Sequence, residues 1–331
     1  RHTRCSVVSG LGDVYKRQSS FSAIVGAGGS PLAAIALGQG NRERAGQILG
    51  NGFILLLIFT ILTSATTYLF MEPILLFTGA SENTIGYATD YLSIYLLGTL
   101  FVELSVGLNT FINTQGRPTI AMYSVLIGAI LNIGLDPLFI FTFGMGVKGA
   151  ALATILSQAC SAIWVISFLT SKKASLRLEY RYMKLHKGII LSILALGVSP
   201  FIMASTESLV GFVLNSSLEK FGDIYVSALA IMQSAMLIVS VPLTGFAQGF
   251  VPIVSYNYGC GQLLRSNKAL RLCIISAVVF ALLISGVFAC FSGDIVSLFL
   301  PDRTSHAWQY AVVGLPLFAV DYIFFGINVI T

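Results

Sequence analysis

The chain has 331 residues, of which 56% are hydrophobic and only 10% are charged, and its formal net charge is +5. The mean hydropathy of +0.85 excludes an ordinary soluble domain, in which about 25% of the residues carry a charge. The positive charge does not indicate nucleic-acid binding, because it is confined to particular links between apolar segments.

Apolar segments long enough to cross a bilayer as helices recur along the whole sequence. No window alternates in the manner of barrel strands, so helices are the spanning structure that is predicted. We predict nine spans, at 21–38, 49–71, 86–112, 118–143, 147–170, 188–217, 224–257, 268–291 and 307–331. The fold class that follows is an all-α integral membrane protein.

The links between these spans alternate in charge. Basic links carry Arg42 and Arg44, then Arg117, then Lys172 to Lys187, and then Arg265, Lys268 and Arg271. Cytoplasmic loops carry the excess of Lys and Arg in membrane proteins, so we place these links in the cytoplasm. The prediction is a multi-pass protein of the cell (cytoplasmic) membrane, surrounded by the lipid bilayer.

The sequence contains none of the common motifs for disulfide frameworks, metal sites, ATP binding or hydrolysis. The five cysteines show no paired spacing and the three histidines fall outside the spans, so neither a disulfide framework nor a zinc site is predicted. No GxxxxGK[ST], HExxH or GxSxG occurs, which excludes an ATP motor in this chain and argues against a membrane enzyme. We therefore predict a protein that is not an enzyme and has no cofactor.

A pattern of small residues near the start returns in the second half. Gly28, Pro31 and Gly38-Gln-Gly40 precede a basic link, and Gly249, Pro252 and Gly259-Cys-Gly261 repeat this spacing. Internal repeats on this scale are typical of secondary transporters. The matched helices are the first and the seventh of the nine predicted spans. We therefore predict two six-helix lobes related by a pseudo-two-fold axis along the membrane normal.

The repeat also predicts the domain boundaries. Residues 19–171 form an N-lobe with helices 2 to 6, residues 172–187 a cytoplasmic linker, and residues 188–331 a truncated C-lobe with helices 7 to 10. Residues 1–18 carry charges where the repeat requires a spanning helix, so we interpret them as foreign to the fold. By the same comparison the first helix and the last two are missing, and we expect a fragment of a twelve-helix protein.

Four acidic side chains lie inside predicted spans that hold no Lys or Arg at comparable depth. They are Glu103, Asp136, Glu207 and Asp321. A carboxylate in a bilayer costs at least about 2.5–3.5 kcal/mol on insertion scales, and such residues usually line an ion or substrate path. With no fixed cation beside them, these acids are predicted to receive a mobile one, H⁺ or Na⁺.

Asn132 and Asp136 are four residues apart, so they share one face of a helix. Pro137 follows directly, and it loosens the helix and leaves a carbonyl available. Carboxylate, amide and carbonyl oxygens together suit Na⁺, and the carboxyl alone suits a proton. The alternative is a hydrogen bond between helices that only stabilises their packing.

Each of the two acids in the second half has a structural alternative. Glu207 has hydroxyl neighbours that would keep a neutral carboxyl hydrogen-bonded, and Asp321 follows Pro316 in an aromatic helix. Asp321 either contacts a cationic substrate or pairs with a neighbouring helix.

Glu103, Asn109 and Asn113 complete the set of polar candidates. We place Glu103 near the outer end of its helix, where water would solvate it, as the alternative to a functional role. Asn109 and Asn113 share a helix face, where Asn side chains often just link helices.

Two adjacent runs resemble the fifth and sixth helices of multidrug and toxin extrusion (MATE) transporters: Gly128-Ala-Ile-Leu-Asn-Ile-Gly-Leu-Asp-Pro-Leu-Phe-Ile-Phe141 and Gly144-Met-Gly-Val-Lys-Gly-Ala-Ala-Leu-Ala-Thr154. The run Gly107-Leu-Asn-Thr-Phe-Ile-Asn-Thr-Gln-Gly116 resembles their fourth helix. The two Gly/Pro repeats resemble their second and eighth helices. The resemblance covers residues 20–331 and is to the prokaryotic multidrug-exporter branch.

The resemblance implies a secondary active exporter that exchanges Na⁺ or H⁺ for organic-cation drugs by alternating access. It implies small lipophilic cationic substrates, a monomer, and no cofactor besides the coupling ion. It places a coupling site at Asp136, with Asn132, Asn109 and Thr154, and a Na⁺ ion would lie at Asp136, Asn132 and Thr154. Glu207 and Asp321 match acids of a second-lobe site in another prokaryotic branch. Glu103 and Asn113 are further candidates without an implied role.

Two other classes of function stay open at this point. A flippase for a lipid-linked sugar precursor has a related architecture, but such proteins more often carry basic residues in the cavity to meet pyrophosphate. A channel or receptor would not require acids inside the spans of both halves. Flux that depends on a counter-ion separates an exchanger from a channel.

Overall fold

The computed structural model of the protein describes residues 21–77 and 85–330. Residues 1–18, interpreted above as foreign to the fold, lie outside the described residues. In chain order the helices are α1 (Phe21–Gly38), α2 (Arg42–Leu69), α3 (Met71–Phe77), α4 (Ile85–Thr114), α5 (Pro118–Pro137), α6 (Gly146–Thr170), α7 (Lys187–Glu219), α8 (Asp223–Gly259), α9 (Leu263–Cys290), α10 (Ser292–Phe299) and α11 (His306–Ile330). A π-helical turn, Leu138–Thr142, follows α5, and a 3₁₀ turn, Tyr180–Tyr182, lies in the link before α7.

Eight of these helices are long and apolar enough to cross a membrane: α1, α2, α4, α5, α6, α8, α9 and α11. Helix α7 carries two shorter apolar stretches, Lys187–Met203 and Leu209–Leu218. Each of the nine predicted spans falls on one of these nine long helices. The described residues contain no strand, and the predicted class, an all-α integral membrane protein, is confirmed.

The order of helices α1 to α4 returns as α8 to α11. In both sets two long helices are followed by a short one, α3 or α10, and then by another long one. The turn after the first helix is the same in both, because Gly40 has φ 75° and Gly261 has φ 73°. Glycine adopts this left-handed backbone without strain, which accounts for the second glycine of each Gly-x-Gly. The short helices α3 and α10 were not predicted from the sequence.

Contacts between residues divide the chain into two units, with the boundary inside α7 after Ser205. The core of the first unit contains Leu49 and Leu56 of α2, Leu108 and Phe111 of α4, and Ile193 of α7, all fully buried. The core of the second unit contains Leu229, Ala277, Ala281, Leu315 and Ala319 from α8, α9 and α11. The predicted lobe boundary at 172–187 lies before this division, and the lobe assignment and its two-fold axis stay predictions.

Helices α1 and α7 approach closely at a pair of glycines. A Cβ atom added to Gly28 would collide with the backbone oxygen of Ile193, and one added to Gly197 would collide with that of Ile24. Small residues permit this approach between membrane helices, where association depends on van der Waals packing. The beginning of α7 is therefore fixed against α1 within the first unit.

Candidate cation site

Asn132, Asp136 and Thr154 form one polar cluster between α5 and α6. The amide nitrogen Nδ2 of Asn132 lies 3.4 Å from Asp136 Oδ1 and 3.5 Å from Thr154 Oγ1. Thr154 itself donates to the carbonyl of Ala150 at 3.0 Å within α6. Both contacts of Asn132 are long for hydrogen bonds, so the amide is weakly held by them.

The backbone beside Asp136 departs from an α-helix. Pro137 has no N–H, so the carbonyl of Ile133 cannot receive the hydrogen bond that an α-helix would supply. The N–H of Leu138 bonds to Leu135 O, and a π-helical turn, Leu138–Thr142, continues from there. π-Helical turns inside α-helices are frequent at functional sites. That Pro137 makes a carbonyl available to the carboxylate stays a prediction.

The cluster is half-buried, and its donor set suits a monovalent cation. Within the described residues no Lys or Arg forms an ion pair with Asp136. The carboxylate, the Thr154 hydroxyl and the Asn132 amide oxygen, once that amide rotates, are all oxygen ligands. No three His, Cys, Asp or Glu side chains of the described chain converge as they would for many multivalent metal sites. The residues fit Na⁺, and Asp136 alone fits a proton.

Asn109 contacts a different part of α5. Its Nδ2 donates to the carbonyl of Ala121 at 3.3 Å, and Ala121 lies about three turns before Asn132, roughly 16 Å along an α-helix. Its Oδ1 is buried without a hydrogen-bond partner in the described structure. Asn113 lies half-buried one turn further along α4. The structure thus brings together Asp136, Asn132 and Thr154 and places Asn109 away from them.

Glu103 is completely buried in α4, with 0% of the residue exposed. The expected position near a wetted helix end was wrong, because Glu103 lies nearer the end of α4 that precedes the basic link at Arg117. Both carboxylate oxygens are buried without a hydrogen bond of good geometry within the described residues, although Ser22 of α1 lies beside them. An unpaired charge at such a site is strongly unfavourable.

The two acids of the second half belong to the second unit. Asp321 is exposed on α11, on the same face as exposed Leu317 and Phe324, and forms no ion pair within the described residues. Glu207 is in α7, but its side chain lies outside what the structure describes. The predicted roles of Glu207 and Asp321 stay predictions.

Gln158 is a polar residue near the cluster that the sequence analysis did not select. It follows Thr154 by one helical turn, and its Oε1 accepts a hydrogen bond of 2.9 Å from Ser105 Oγ of α4. The signal that identifies it is its spacing from Thr154, which places both side chains on one face of α6. Thr154 thus connects α6 to α5, and Gln158 connects α6 to α4.

These features define a class: a multi-pass α-helical membrane protein with an internal repeat and a polar cluster, containing one carboxylate, between two spans. The chain belongs to the MatE family, whose model matches residues 18–138 and 199–331. It is accordingly a protein of the cell membrane and not an enzyme.

The comparisons with individual proteins agree with this family. Multidrug export protein MepA of Staphylococcus haemolyticus (strain JCSC1435) is 28% identical over 284 residues, which are 86% of this chain and 62% of that protein. MepA of Staphylococcus saprophyticus is 28% identical over 273 residues, covering 82% of this chain and 56% of that protein. The chain thus spans about 56–62% of these relatives. A solved structure described as MATE in the bent conformation has the same fold, with a TM-score of 0.88 at 24% identity, over 98% of this chain and 74% of that one.

Proposed function

We propose that this chain is the main part of a secondary active exporter that exchanges Na⁺ or H⁺ for lipophilic cationic drugs. The cluster of Asn132, Asp136 and Thr154 is the observation that carries the proposal. A carboxylate in a membrane span without a fixed cation partner is suited to bind and release a mobile one. The Staphylococcus relatives are named multidrug export proteins, which supports the choice of substrate class.

The proposed coupling step begins with the arrival of a cation at Asp136. A proton or a Na⁺ ion neutralises the carboxylate and competes with the Asn132 amide for Oδ1. Asn132 is then free to turn its oxygen toward the ion, and its contact with Thr154 of α6 changes at the same time. The helix beyond Pro137 bends most easily at this point because a backbone hydrogen bond is absent there. The bend lowers drug affinity on the outer side, and the emptied monomer turns inward.

The second-lobe acids Glu207 and Asp321 are proposed to contact the cationic drug or a second coupling ion. Asp321 is exposed beside Leu317 and Phe324, a combination of charge and apolar surface that suits a lipophilic cation. Drug binding that survives in an Asp136 variant but fails in an Asp321→Asn variant separates these two roles.

Efflux of a fluorescent lipophilic cation from proteoliposomes tests the proposal. Because the chain spans only part of its relatives, transport is measured in a chimera that takes the unmatched regions from the Staphylococcus haemolyticus protein. A Na⁺ gradient and a pH gradient are imposed separately. We expect Asp136→Asn to reduce gradient-driven efflux by about tenfold or more, since one intramembrane charge is worth several kcal/mol.

Asp90→Asn is the matched control. Asp90 is also an acid of the first unit, but it is half-exposed and pairs with Lys148 at 3.2 Å, a surface contact of small energy. Its variant should retain efflux. Full efflux in Asp136→Asn rejects the proposed coupling site, and no efflux under either gradient in the parent favours the flippase of related architecture.

A further inference from the structure

A cavity of about 420 Å³ lies where the link between α6 and α7 folds against the start of α2. Five cationic residues line it: Arg42, Lys172, Lys173, Arg177 and Arg181. The acid that lines it, Glu179, is paired with Arg181 at 2.6 Å. The remaining cations form no ion pair within the described chain. The cavity therefore carries a surplus of positive charge that an anion would neutralise.

The positive-inside rule explains the number of basic residues in this link but not their convergence. Arg42 begins α2 and belongs to a different link from Lys172 and Lys173, yet all three line the same cavity. The basic residues that set the orientation of a membrane protein do so by their number near the ends of the spans, whatever their exact arrangement. A cavity shared between two links is an additional feature, which the number of charges near the span ends does not require.

Arg177 is already oriented within this cavity. It is half-buried, and its guanidinium donates to the backbone carbonyl of Lys172 at 2.9 Å. A guanidinium has five N–H donors, so others stay available for a ligand. Arg181 is held as well, because it pairs with Glu179 and stacks over the Tyr182 ring at 4.5 Å. A fixed guanidinium loses little conformational freedom when it binds a phosphate oxygen.

The walls of the cavity are held by buried contacts. The Asn51 side chain, which has no exposed surface, accepts from His186 N at 2.8 Å and donates to Lys184 O at 3.1 Å. Gln115 of α4 accepts from Leu176 N at 3.0 Å, and Leu176 is 2% exposed. A Cβ on Gly46 would contact the Tyr182 ring at 2.8 Å, so only glycine permits this packing. The linker therefore packs against α2 and the end of α4.

The position of the cavity indicates the source of the anion. Arg42 is the first residue of the span α2, and Lys172 follows the end of the span α6 at Thr170 by two residues. Both ends lie on the predicted cytoplasmic side, at the level where phospholipid headgroups lie. Anionic lipids concentrate in that leaflet, and basic pockets at span ends bind their headgroups.

We propose that this cavity binds the phosphate of an anionic phospholipid headgroup. Arg177 and Arg42 contact the phosphate oxygens, and Lys172 and Lys173 add charge at the rim. The bound lipid joins the linker to the start of α2, and this role is independent of the coupling chemistry at Asp136.

Lipid retention by the purified chain in detergent tests the proposal. Native mass spectrometry counts the phosphatidylglycerol or phosphatidylcholine molecules retained from mixed micelles. The Lys172→Gln/Lys173→Gln/Arg177→Gln triple variant removes three cavity charges, and Arg265→Gln/Lys268→Gln/Arg271→Gln removes three charges from another basic link. We expect the cavity triple to weaken phosphatidylglycerol binding by about tenfold or more and the control triple to change it by less than about twofold.

The other outcomes decide against the proposal in distinct ways. Equal losses in both triples indicate non-specific attraction, and equal retention of the two lipids in the parent rejects a preference for an anionic headgroup. Competition by inorganic phosphate at the same residues, without a lipid preference, assigns the cavity to a soluble anion. If the triple variant does not fold, Lys172→Gln/Lys173→Gln replaces it, since both side chains are exposed, and the same comparison applies.

Discussion

The Asn132 amide and the Thr154 hydroxyl meet across two helices, with Nδ2 and Oγ1 3.5 Å apart. The same amide nitrogen lies 3.4 Å from Asp136 Oδ1. One side chain thus links a carboxylate of α5 to the neighbouring helix α6. A change of charge at Asp136 would change the contacts of the Asn132 amide with both helices, and the proposed coupling requires this link.

Thr154 distinguishes Na⁺ coupling from proton coupling. Thr154→Val removes the hydroxyl at nearly constant volume, and Thr154→Ser retains it. If Na⁺ binds the cluster, the Val variant should need about tenfold more Na⁺ for half-maximal efflux, because one oxygen ligand is lost. If a proton binds Asp136, both variants should keep the pH dependence of the parent. Efflux at rising Na⁺ concentration in the chimera measures this, and equal behaviour of Val and Ser under Na⁺ excludes Thr154 as a ligand.

Part of the cluster was predictable from the sequence because helix periodicity is local. The spacing of Asn132 and Asp136 places them on one face whatever the tertiary structure, and Pro137 necessarily removes a backbone donor. Thr154 came only from the family resemblance, since it lies on another helix. Its neighbour Gln158 was missed for the same reason. Contacts between helices depend on packing angles that a single sequence does not state.

The errors of the sequence analysis also have physical causes. The alternative that Glu103 lies at a wetted helix end was wrong, because the structure buries it completely. The short helices α3 and α10 were missed because each follows a long apolar helix with a break of one residue. The sequence did not indicate a structural role for Asn51, because two of its three hydrogen bonds are with residues far away along the chain.

Glu103 should be replaceable by a residue of similar volume with a gain in stability. Its carboxylate oxygens are buried with the Ser22 hydroxyl beside them but no hydrogen bond of good geometry, and a buried polar group that is poorly satisfied costs about 1–3 kcal/mol. We expect Glu103→Met to raise the thermal unfolding midpoint of the chain in detergent at neutral pH. Glu43→Gln, at an exposed position in the first turn of α2, should lower it slightly, because a favourable interaction with the helix dipole is lost. A lower midpoint in Glu103→Met would show that the carboxyl has a stabilising partner.

Gly28 should not tolerate a side chain, although glycine is otherwise the poorest helix former after proline. A Cβ at Gly28 collides with the Ile193 backbone of α7, and backbone cannot move aside as a flexible side chain can. We expect Gly28→Ala to destabilise the chain by about 1–3 kcal/mol. Thermal unfolding in detergent measures the change.

Gly211 of α7 is the control for this substitution. A Cβ there has no heavy atom within 4 Å, so Gly211→Ala should stabilise the helix by up to about 1 kcal/mol. If both alanine variants shift the midpoint in the same direction, the close approach of α1 and α7 is not the reason that glycine is required at position 28.

Asn51 should control how firmly the linker is attached to α2. Asn51→Leu has a similar volume but leaves His186 N and Lys184 O without their partner, a loss of about 1–3 kcal/mol. We expect faster cleavage by trypsin after Lys184 and Lys187, because the backbone must leave the protein surface to enter a protease. Asn257→Leu is the matched control, since Asn257 is half-buried and its amide donates to Ile253 O in its own helix at 2.7 Å, not to a distant segment. Equal cleavage rates in the two variants would mean that packing of Leu176 and Leu178, and not Asn51, holds the linker in place.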